Sequence, residues 1–390
     1  MRILVISDYS RGGAGCVAKE TGDLLSSQGH EVKYLWGNKH FSFSPFRYIF
    51  NYKANKILRK VLADFLPEII MVHNYDNLLS PSILSVIKKY RKETKSSVIM
   101  TLHDYHVLCP SNSLSYYRGS KKYFFNFVPT VQKCFFTRID YRSWAHSYLR
   151  VLQWLIYYKF FRYRSAFDFF IAPSEFMFEK SSQVLDKKKL KLIRNPTVIT
   201  AVGNSRAKVK DNSALTITYA GRLSDEKGIL YFVRALANLR SYITPKIHLN
   251  IIGDGAHERL IEKVVKCNTN DNLTFKLFGR KSKQEVETVF QKSDFVVLPS
   301  LCYENAPLTL VEAAMLGCRI ITMNYGGMKE IAEMQNGSFL MNSFSRIEIQ
   351  RLLKFLSEER EFAVDNSEIV SRFSKESYLS MILDTIPSRK

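Results

Sequence analysis

A short apolar run, a glycine loop and an amphipathic stretch follow one another repeatedly along this chain, and this recurrence constrains the fold most. Residues 1–7 are rich in branched apolar side chains, and a loop with Gly12, Gly13 and Gly15 follows them. An amphipathic stretch then reaches Gln28, before a second apolar run at residues 31–35. This order is typical of a βαβ unit, in which the returning helix makes the two strands parallel.

The same pattern continues and then restarts in the second half of the chain. Further strands are predicted at 69–72, 97–102, 167–172, 215–220, 247–252, 273–278, 295–299 and 319–323, with helical periodicity around 81–90 and 143–161. A chain of 390 residues exceeds what one core usually serves. We therefore predict an α/β protein with two doubly wound Rossmann-like domains, residues 1–195 and 196–370, joined by a polar linker at 195–212.

Charge is unevenly distributed between the two halves. The formal net charge is +21, and residues 1–195 hold 31 Lys and Arg against 14 Asp and Glu, whereas the remainder holds 26 against 22. Such a surface attracts nucleic acid, an anionic membrane or a phosphorylated substrate. Residues 115–165 carry ten basic residues, one acid (Asp140) and seventeen Phe, Tyr or Trp. This composition favours contact with an anionic membrane surface, with an internal aromatic core or nucleic-acid stacking as alternatives.

Other classes of protein are disfavoured. The chain has no run of 18 apolar residues, and its start reaches Asp8 too soon for a signal peptide or a membrane span. We therefore expect a cytoplasmic protein. Its six cysteines are scattered without a CxxC pair, which favours reduced thiols over disulfides or a structural zinc.

The first glycine loop follows a predicted strand, where doubly wound sheets bind ligands. Gly13-x-Gly15-x-x-Ala18 fits the loose dinucleotide fingerprint, but the second predicted strand ends without an acid to hold an adenosine ribose. A loop for a substrate or a phosphate and a plain tight turn therefore remain the other interpretations of this loop.

Residues His103, Asp104 and His106 follow the predicted strand at 97–102. Three alternating residues in an irregular turn are a poor metal shell without a fourth ligand. A His at a strand end can instead hydrogen-bond a sugar hydroxyl or stabilise positive charge in a transition state. Substrate contact by His103, a structural polar turn and a metal site are the three alternatives.

Two cations lie in the loop after the predicted strand at 215–220. Arg222 and Lys227 are five residues apart around a turn, so they can straddle a pyrophosphate and neutralise its departing charge without a metal. Solvated loop charges are the alternative. The loop that ends at Gly255 is a close-approach turn, for which ligand binding and packing are equal alternatives.

The loop and helix at 299–317 are the richest segment. Pro307 suits the first turn of a helix that ends at Gly317, so Glu304 lies in the loop and Glu312 inside the helix. The two carboxylates need not face each other, and they suit two hydroxyl-rich parts of one ligand while the helix N–H groups face its phosphates. Paired glycosidase carboxylates are the competing interpretation, but those normally come from opposed walls of a cleft.

These motifs together carry a resemblance to a known family. Glu304 and Glu312 have Glu-x7-Glu spacing. With the segments AGRLSDEKGI, LNIIGDG, VVLPSLCYENAPLTLVEAAMLGCRII, TLHDYHVLCP and IAPSEF, the chain resembles glycosyltransferase family 4, retaining nucleotide-sugar transferases of the GT-B fold. The match runs in order from Met1 to about Glu333. It implies two Rossmann-like domains that face each other across a cleft, with a last helix at about 371–390 that packs back on the first domain.

The resemblance also implies roles for individual residues. Arg222 and Lys227 would hold the donor pyrophosphate, and Glu312 would bind the ribose. The residues with implied catalytic roles are Glu304, His103, Arg222 and Lys227. The residues with implied donor contacts are Gly13, Arg222, Lys227, Gly255, Arg280, Asn305, Pro307, Leu308 and Glu312, with the base near Gly279 and Arg280. The family's N-terminal domain receives the acceptor, and the residues implied there are Gly12, Gly15 and Asp104.

The resemblance implies a UDP- or GDP-sugar as co-substrate and no other cofactor. No Asp-x-Asp motif is present, so a divalent metal is not expected to be required. We expect a glycan or lipid-linked acceptor at the inner face of the cytoplasmic membrane, in O-antigen, capsule or exopolysaccharide biosynthesis, and no nucleic-acid partner. A sugar-nucleotide epimerase of the same fold and a non-catalytic basic protein that binds membrane or nucleic acid are the alternatives.

Overall fold

The computed structural model describes residues 1–197, 199, 214–358 and 364–386. The chain divides into two compact units, Met1–Pro196 with Lys375–Lys390, and Thr197–Ser374. Most of the linker expected at 195–212 lies outside the described residues. No helix among the described residues combines the length and apolar character needed to cross a bilayer.

The first unit is built on a six-stranded parallel sheet in the order β2-β1-β3-β4-β7-β8. Its strands are β1 (Arg2–Ser7), β2 (Glu31–Trp36), β3 (Ile69–Val72), β4 (Ser97–Thr101), β7 (Phe169–Ala172) and β8 (Leu190–Leu192), and an antiparallel hairpin is formed by β5 (Ser115–Arg118) and β6 (Lys121–Phe124). Its helices are α1 (Gly12–Ser27), α2 (Pro45–Ile49), α3 (Tyr52–Phe65), α4 (Ile83–Thr94), α5 (Val131–Phe135), α6 (Trp144–Trp154) and α7 (Glu175–Ser182). All four residues of β3 are buried, as in a strand covered by helices on both faces.

The second unit repeats this plan in the order β11-β10-β9-β12-β13-β14, again with parallel pairs throughout. Its strands are β9 (Leu215–Ala220), β10 (Ile247–Ile252), β11 (Leu273–Gly279), β12 (Phe295–Leu298), β13 (Arg319–Met323) and β14 (Phe339–Met341). Its helices are α8 (Ile229–Asn238), α9 (Glu258–Asn268), α10 (Lys283–Phe290), α11 (Leu308–Met315), α12 (Gly326–Glu333), α13 (Arg346–Glu358) and α14 (Ser367–Phe373).

The C-terminal segment returns to the first unit as helix α15 (Lys375–Thr385). Tyr378 and Ile382 are buried in the same apolar cluster as Ile3 and Val5 of β1. The Tyr378 hydroxyl lies 2.7 Å from Oγ1 of Thr21 on α1. The family resemblance implies one last helix from about residue 371, but the structure has two, because Ser374 adopts an extended conformation between α14 and α15.

Several predicted elements coincide with the observed ones, and others differ. The strands predicted at 69–72, 215–220, 247–252 and 319–323 have those bounds in the structure. The strand predicted at 167–172 begins at Phe169 instead, since the backbone and carboxylate of Asp168 bond to Val98. The helix predicted at 143–161 is α6 followed by a π-helical turn, Leu155–Phe160.

The basic aromatic segment 115–165 has a buried face and an exposed face. Trp154, Tyr157 and Tyr158 are buried, whereas Phe136 is 78% exposed and Phe160 is 79% exposed. An internal aromatic core therefore accounts for only part of this segment.

Candidate functional site

The order of the strands brings two loops of the second unit together. Within the sheet, β10 and β11 lie on one side of β9, and β12 pairs with β9 on its other side. Such a topological switch point opens a crevice at the carboxyl edge of the sheet. The loop after β9 and the loop after β12 meet there, and the N–H of Leu301 donates to the carbonyl of Glu226 at 2.8 Å.

Lys227 and Glu304 form an ion pair at this switch point. Lys227 Nζ lies 2.6 Å from Oε1 of Glu304, and both side chains are largely buried. Burial alone would raise the pKa of Glu304, but the ammonium of Lys227 outweighs burial and holds that pKa below its ordinary value. Burial would lower the pKa of Lys227, and Glu304 raises it. Two residues 77 positions apart thus share a stable pair of charges.

Arg222 lies in the same loop as Lys227 but faces solvent. Its side chain is 66% exposed and pairs with Oε1 of Glu226 at 2.9 Å. The Tyr219 hydroxyl donates to the Arg222 carbonyl at 2.7 Å, which fixes the start of the loop. The loop therefore presents one buried and one exposed cation, at the carboxyl edge where the sequence predicts a pyrophosphate site.

Helix α11 begins beside this pair. The sequence predicts Pro307 in the first turn, but Pro307 is the N-cap and the helix starts at Leu308, because the ψ of Pro307 is extended at 107°. The side chain of Pro307 makes no capping hydrogen bond, so it leaves first-turn N–H groups for other partners, such as a ligand. Burial raises the pKa of Glu312 inside the helix, and Lys283 opposes that rise from 3.0 Å. The two glutamates thus pair with different lysines.

Gly327, which was not singled out from the sequence, holds the Glu304 loop. The N–H of Gly327, at the start of α12, donates to the Glu304 carbonyl at 2.8 Å. A Cβ at Gly327 would lie 1.7 Å from the carbonyl oxygen of Asn305. Only a glycine therefore allows α12 to approach the loop this closely.

The remaining donor-side residues lie at the same edge of the sheet. A Cβ at Gly255 would lie 2.5 Å from the Leu223 carbonyl oxygen, which gives this glycine a packing role. Gly279 ends β11 with a φ of +64°. The side chain of the following Arg280 is 74% exposed, and its Nη1 lies 4.0 Å from Oδ2 of Asp254.

The first unit has its own switch point, between β1 and β3. The carboxylate of Asp8, directly after β1, accepts hydrogen bonds from the N–H groups of Asn77, Leu78 and Leu79. Burial, with a contribution from Asp76, raises the pKa of Asp8 to about 7. The sequence analysis did not predict this role for Asp8, although its position after the first strand was a usable signal.

His103 and His73 form a stacked and hydrogen-bonded pair at the same edge. Nε2 of His103 lies 2.8 Å from Nδ1 of His73, and the ring planes differ by 21°. Burial lowers the pKa of His103 to about 4 and places that of His73 well below its ordinary value, so both rings are neutral near pH 7. The sequence predicts the position of His103 but not its partner, which follows β3.

Asp104 is engaged with His106. Nδ1 of His106 lies 2.6 Å from Oδ1 of Asp104, and ligand atoms of Asp76, Asp104 and His106 lie within 4.8 Å of one another. This group has the composition of a cation site. Burial would lower the pKa of His106, but Asp76 and Asp104 raise it to about 9, so a protonated imidazole already balances the carboxylates.

The glycines of the first glycine loop lie in two different local environments. A Cβ at Gly15 would lie 2.6 Å from the Tyr9 carbonyl oxygen, so Gly15 allows α1 to pack against the loop. Gly12 has a φ of +81°, and a Cβ at Gly12 or Gly13 would meet no described atom within 4 Å. Gly12 and Gly13 therefore leave open space at the first turn of α1, while Gly15 has a packing role.

The two parallel sheets, each with polar and charged side chains at its switch point, define an α/β protein of the GT-B fold. The structure is similar to that of Anabaena HepE, crystallised in complex with UDP and glucose, with a TM-score of 0.65, 16% identity and 99% of each chain covered. It is also similar to sucrose-phosphate synthase from Thermosynechococcus elongatus, with a TM-score of 0.68, 18% identity, and coverage of 99% of this chain and 98% of that one.

Sequence comparison agrees with this class. Residues 203–373 match the family model described as glycosyl transferases group 1. The chain is 26% identical over 149 residues to the lipopolysaccharide 1,2-N-acetylglucosaminetransferase of Salmonella typhimurium, which is 34% of this chain and 39% of that enzyme. It is 25% identical over 177 residues to a Campylobacter jejuni N-acetyl-D-galactosaminyltransferase that is named for an undecaprenol-linked substrate, covering 45% of this chain and 47% of that enzyme. The chain thus spans less than half the length of either relative.

Proposed function

We propose that this protein is a retaining glycosyltransferase of family 4 type, which moves a sugar from a nucleotide-sugar donor to a glycan or lipid-linked acceptor. The observation that carries the proposal is the Lys227–Glu304 pair at the switch point of the second unit. It lies beside the first turn of α11, which its N-cap side chain does not cap, and Lys227 shares its loop with the exposed cation of Arg222. Cations and free N–H groups at one edge of a parallel sheet suit a diphosphate.

The chemistry assigned to these residues is stabilisation of the leaving group. The bond between the anomeric carbon and the phosphate oxygen breaks, and its electron pair stays on the nucleotide diphosphate. Arg222 and Lys227 neutralise that charge, which is a preorganised electrostatic contribution. The acceptor hydroxyl attacks from the face that the diphosphate leaves, and its proton passes to the departing phosphate oxygen. Configuration is thus retained without an enzymic nucleophile.

Donor recognition in this proposal uses both glutamates. Glu304, with the backbone of Asn305, Pro307 and Leu308, holds the donor sugar, and Glu312 accepts hydrogen bonds from the ribose hydroxyls. Neutral His103, in the first unit, offers a ring nitrogen to a sugar hydroxyl. The chain's own cations supply the charge that a metal would otherwise supply, so we propose that transfer requires no divalent ion.

The pathway we propose is cell-surface polysaccharide biosynthesis, with the protein peripheral on the inner face of the cytoplasmic membrane. The names of the Salmonella and Campylobacter relatives support a lipopolysaccharide or lipid-linked acceptor. HepE was crystallised with UDP and with UDP-glucose, which supports a UDP-sugar donor.

The first experiment is a panel of UDP-, GDP- and dTDP-sugars, with protein melting temperature as the readout. A ligand that binds the folded state raises the melting temperature, and the rise grows with the logarithm of the ratio of ligand concentration to Kd. Glu312→Ala should reduce the rise, whereas Glu333→Ala, an exposed glutamate of the same unit, should not. Unchanged donor binding in Glu312→Ala would remove its ribose role.

The second experiment separates the alternatives. Conversion of the donor sugar without any acceptor would identify an epimerase, and absence of both donor binding and transfer would leave only a non-catalytic basic protein. Transfer in the presence of a chelator, with unchanged rate, is the expected outcome for metal independence.

A further inference from the structure

An apolar stripe runs along the outer side of α6 and the π-helical turn after it. Trp144, Tyr148, Leu152, Ile156 and Phe160 recur at every fourth position, which places them on one side of the helical segment. Trp144, Tyr148 and Leu152 are 45%, 44% and 50% exposed, and Phe160 is 79% exposed. We call this set the α6 stripe.

The first unit does not need the α6 stripe for its own core. The opposite side of the same segment supplies Val151, Trp154 and Tyr158, all buried, and the Tyr158 hydroxyl lies 2.7 Å from that of Tyr75. An exposed apolar surface of this extent marks an interaction site. Phe135 widens it, with its ring 5.2 Å from that of Tyr148.

The charge around the stripe is positive. Lys133, Lys159 and Arg162 are exposed beside it. Asp140 is the one acid of residues 115–165, and it is buried and bonded to Arg142 and Arg150. The stripe is therefore flanked by cations that no acid of its own segment neutralises.

A second basic feature lies near the end of α4. A pocket of about 740 Å³ is lined by Lys88, Arg91, Lys92, Lys95, Ser96, Ser97, Asp168, Phe169 and Lys189. Asp168 is the one acid in this lining, and it pairs with Arg91. Among the described residues, no acidic group lies within 4 Å of the ammonium of Lys88, Lys92, Lys95 or Lys189. We call this cavity the α4 pocket.

A run of aromatic rings connects the α6 stripe to the α4 pocket. Nζ of Lys88 lies 5.9 Å from the ring centre of Tyr163, and Tyr163 stacks on Phe161 at 5.4 Å. The ring of Phe161 in turn contacts that of Phe160 at 5.1 Å. The apolar stripe and the cationic cavity thus form one continuous surface.

We propose that this surface docks the first unit on an anionic bilayer, with the α6 stripe in the boundary between headgroups and acyl chains and lipid phosphates in the α4 pocket. Apolar residues on one side of a helix with Lys and Arg at its margins are what an interfacial helix requires. A second copy of this chain would bring lysines against lysines, and the aliphatic side chains of Leu152 and Ile156 offer no stacking surface to bases. The anionic bilayer therefore fits best.

The α4 pocket and His103 lie at opposite edges of the sheet of the first unit. The α4 pocket lies where β4 and β7 begin, whereas His103 follows the end of β4. β4 has five residues. At about 3.3 Å per residue, the two edges are on the order of 16 Å apart. The α4 pocket therefore lies at the edge of the sheet opposite the one that carries His103, and lipid phosphates bound in this pocket leave His103 uncovered.

Trp144 provides a direct readout in the full-length protein. The chain has three tryptophans, and Trp36 and Trp154 are only 7% and 8% exposed. Vesicles of phosphatidylcholine, with or without phosphatidylglycerol, are added to the protein. With the anionic vesicles only, we expect the fluorescence emission of Trp144 to shift to the blue and to be quenched by brominated acyl chains. Salt should reverse both effects, because the attraction is electrostatic. Trp144→Phe should bind vesicles without this signal.

Matched variants test the two halves of the surface. Leu152→Glu with Phe160→Glu should weaken binding to anionic vesicles at least about tenfold. Leu260→Glu with Ile347→Glu makes the same charge change at exposed apolar positions of the second unit and should have little effect.

The α4 pocket has its own variant. Lys88→Ala, Lys92→Ala and Lys95→Ala together should lower the affinity for anionic vesicles roughly 100-fold. The exposed triple Lys263→Ala, Lys266→Ala and Lys354→Ala is the control.

The proposal rests on the membrane partner of the proposed function but not on sugar transfer. Equal binding to neutral and anionic vesicles, or unchanged binding of the stripe variant, would overturn it.

A dimer in light scattering that the stripe variant dissociates would assign the surface to a second copy instead. If the glutamate pair does not fold, Leu152→Ser with Phe160→Ser carries the same test. Stabilisation by a nucleotide sugar is measured in parallel, so loss of docking alone leaves the transferase proposal intact.

Discussion

At the scale of single residues, the Lys227–Glu304 pair is the most consequential contact of the second unit. Both groups are largely buried, so each charge depends on the other. Removal of one partner of a buried pair leaves an uncompensated charge, which typically costs about 3–5 kcal/mol of stability. A loss of activity in a single variant of this pair therefore needs to be separated from a loss of folded protein.

We predict that Lys227→Ala lowers turnover about 10²-fold or more, the scale of losing one preorganised charge in the transition state. Lys329→Ala is the control, because Lys329 pairs with the exposed Glu333 in the same unit. The double variant Lys227→Ala with Glu304→Gln should recover part of the melting temperature but none of the turnover. Near-normal turnover in Lys227→Ala, measured at saturating donor, would remove the leaving-group role.

The depressed pKa of His103 predicts a pH dependence of stability. The unfolded chain protonates His103 below pH 6.5, but the folded chain does so only below about 4. The unfolded state therefore binds the extra proton in this window, and stability falls as pH falls from 6.5 to 4.

The measurement is urea unfolding of the wild type and of His103→Gln. Going from about pH 7.5 to about pH 5 should cost the wild type about 1–2 kcal/mol more than the variant. Protonation of His73 changes stability in the same direction, and protonation of Asp8 changes it in the opposite direction. Both residues are present in the wild type and in the variant, so their contributions largely cancel when the two proteins are compared. A difference between the two proteins that does not change with pH would contradict the pKa of His103.

The sequence identifies some site residues and not their partners, for a topological reason. Lys227 and His103 could be singled out because each follows a predicted strand. Glu304 was singled out as well, but not as the partner of Lys227, and His73 was not singled out. Both partners lie on loops of neighbouring strands, and the strand order that makes them neighbours is not visible in the linear pattern. Lys283, the partner of Glu312, was missed because it lies at the start of α10 and not after a strand.

At the scale of elements, strand positions follow from periodicity, whereas local interruptions do not. Strands of a parallel sheet are short, mostly apolar runs, and β9 and β10 each end one residue before a glycine, so β3, β9, β10 and β13 could be predicted to the residue. The β5–β6 hairpin was missed because its aromatic and basic residues also satisfy the composition of a membrane-surface segment. The Gly119-Ser120 turn between the two strands was the available signal, since Gly119 has a φ of +58°.

We predict that Gly228→Ala destabilises the second unit far more than Gly317→Ala. Both glycines have a positive φ, +71° and +83°, which costs an alanine about 1–2 kcal/mol. A Cβ at Gly228 would also lie 1.9 Å from the Pro299 carbonyl oxygen, whereas one at Gly317 meets no described atom within 4 Å. The added overlap should bring the cost at Gly228 to about 2–5 kcal/mol.

Chemical unfolding followed by far-UV circular dichroism measures both costs. Because Gly228 joins the Lys227 loop to α8, its variant should also lose donor affinity, and Gly317→Ala should keep it. Equal costs for the two variants would show that the loops after β9 and β12 do not approach as closely as described.

At the scale of the whole molecule, the chain does not divide at a single point. The second unit is one continuous segment, but the first unit takes its last helix from the C-terminus. The sequence analysis predicted this return only through the family resemblance, because α15 has no motif of its own. Its apolar residues complete a core whose other members include residues of α1, β1, β2, β3, β4 and β7.

We therefore predict that Ile382→Ala destabilises the first unit by about 2–5 kcal/mol, the usual cost of truncating a fully buried Ile. Met381→Ala, at the next position of α15 and 43% exposed, should stay within about 0.5 kcal/mol of the wild type. Trp36, Trp144 and Trp154 all belong to the first unit, so tryptophan fluorescence during denaturant unfolding reports this unit alone. A fluorescence midpoint that is the same in Ile382→Ala and Met381→Ala would mean that α15 contributes no core to the first unit, and that the C-terminal return is held by solvent-exposed contacts.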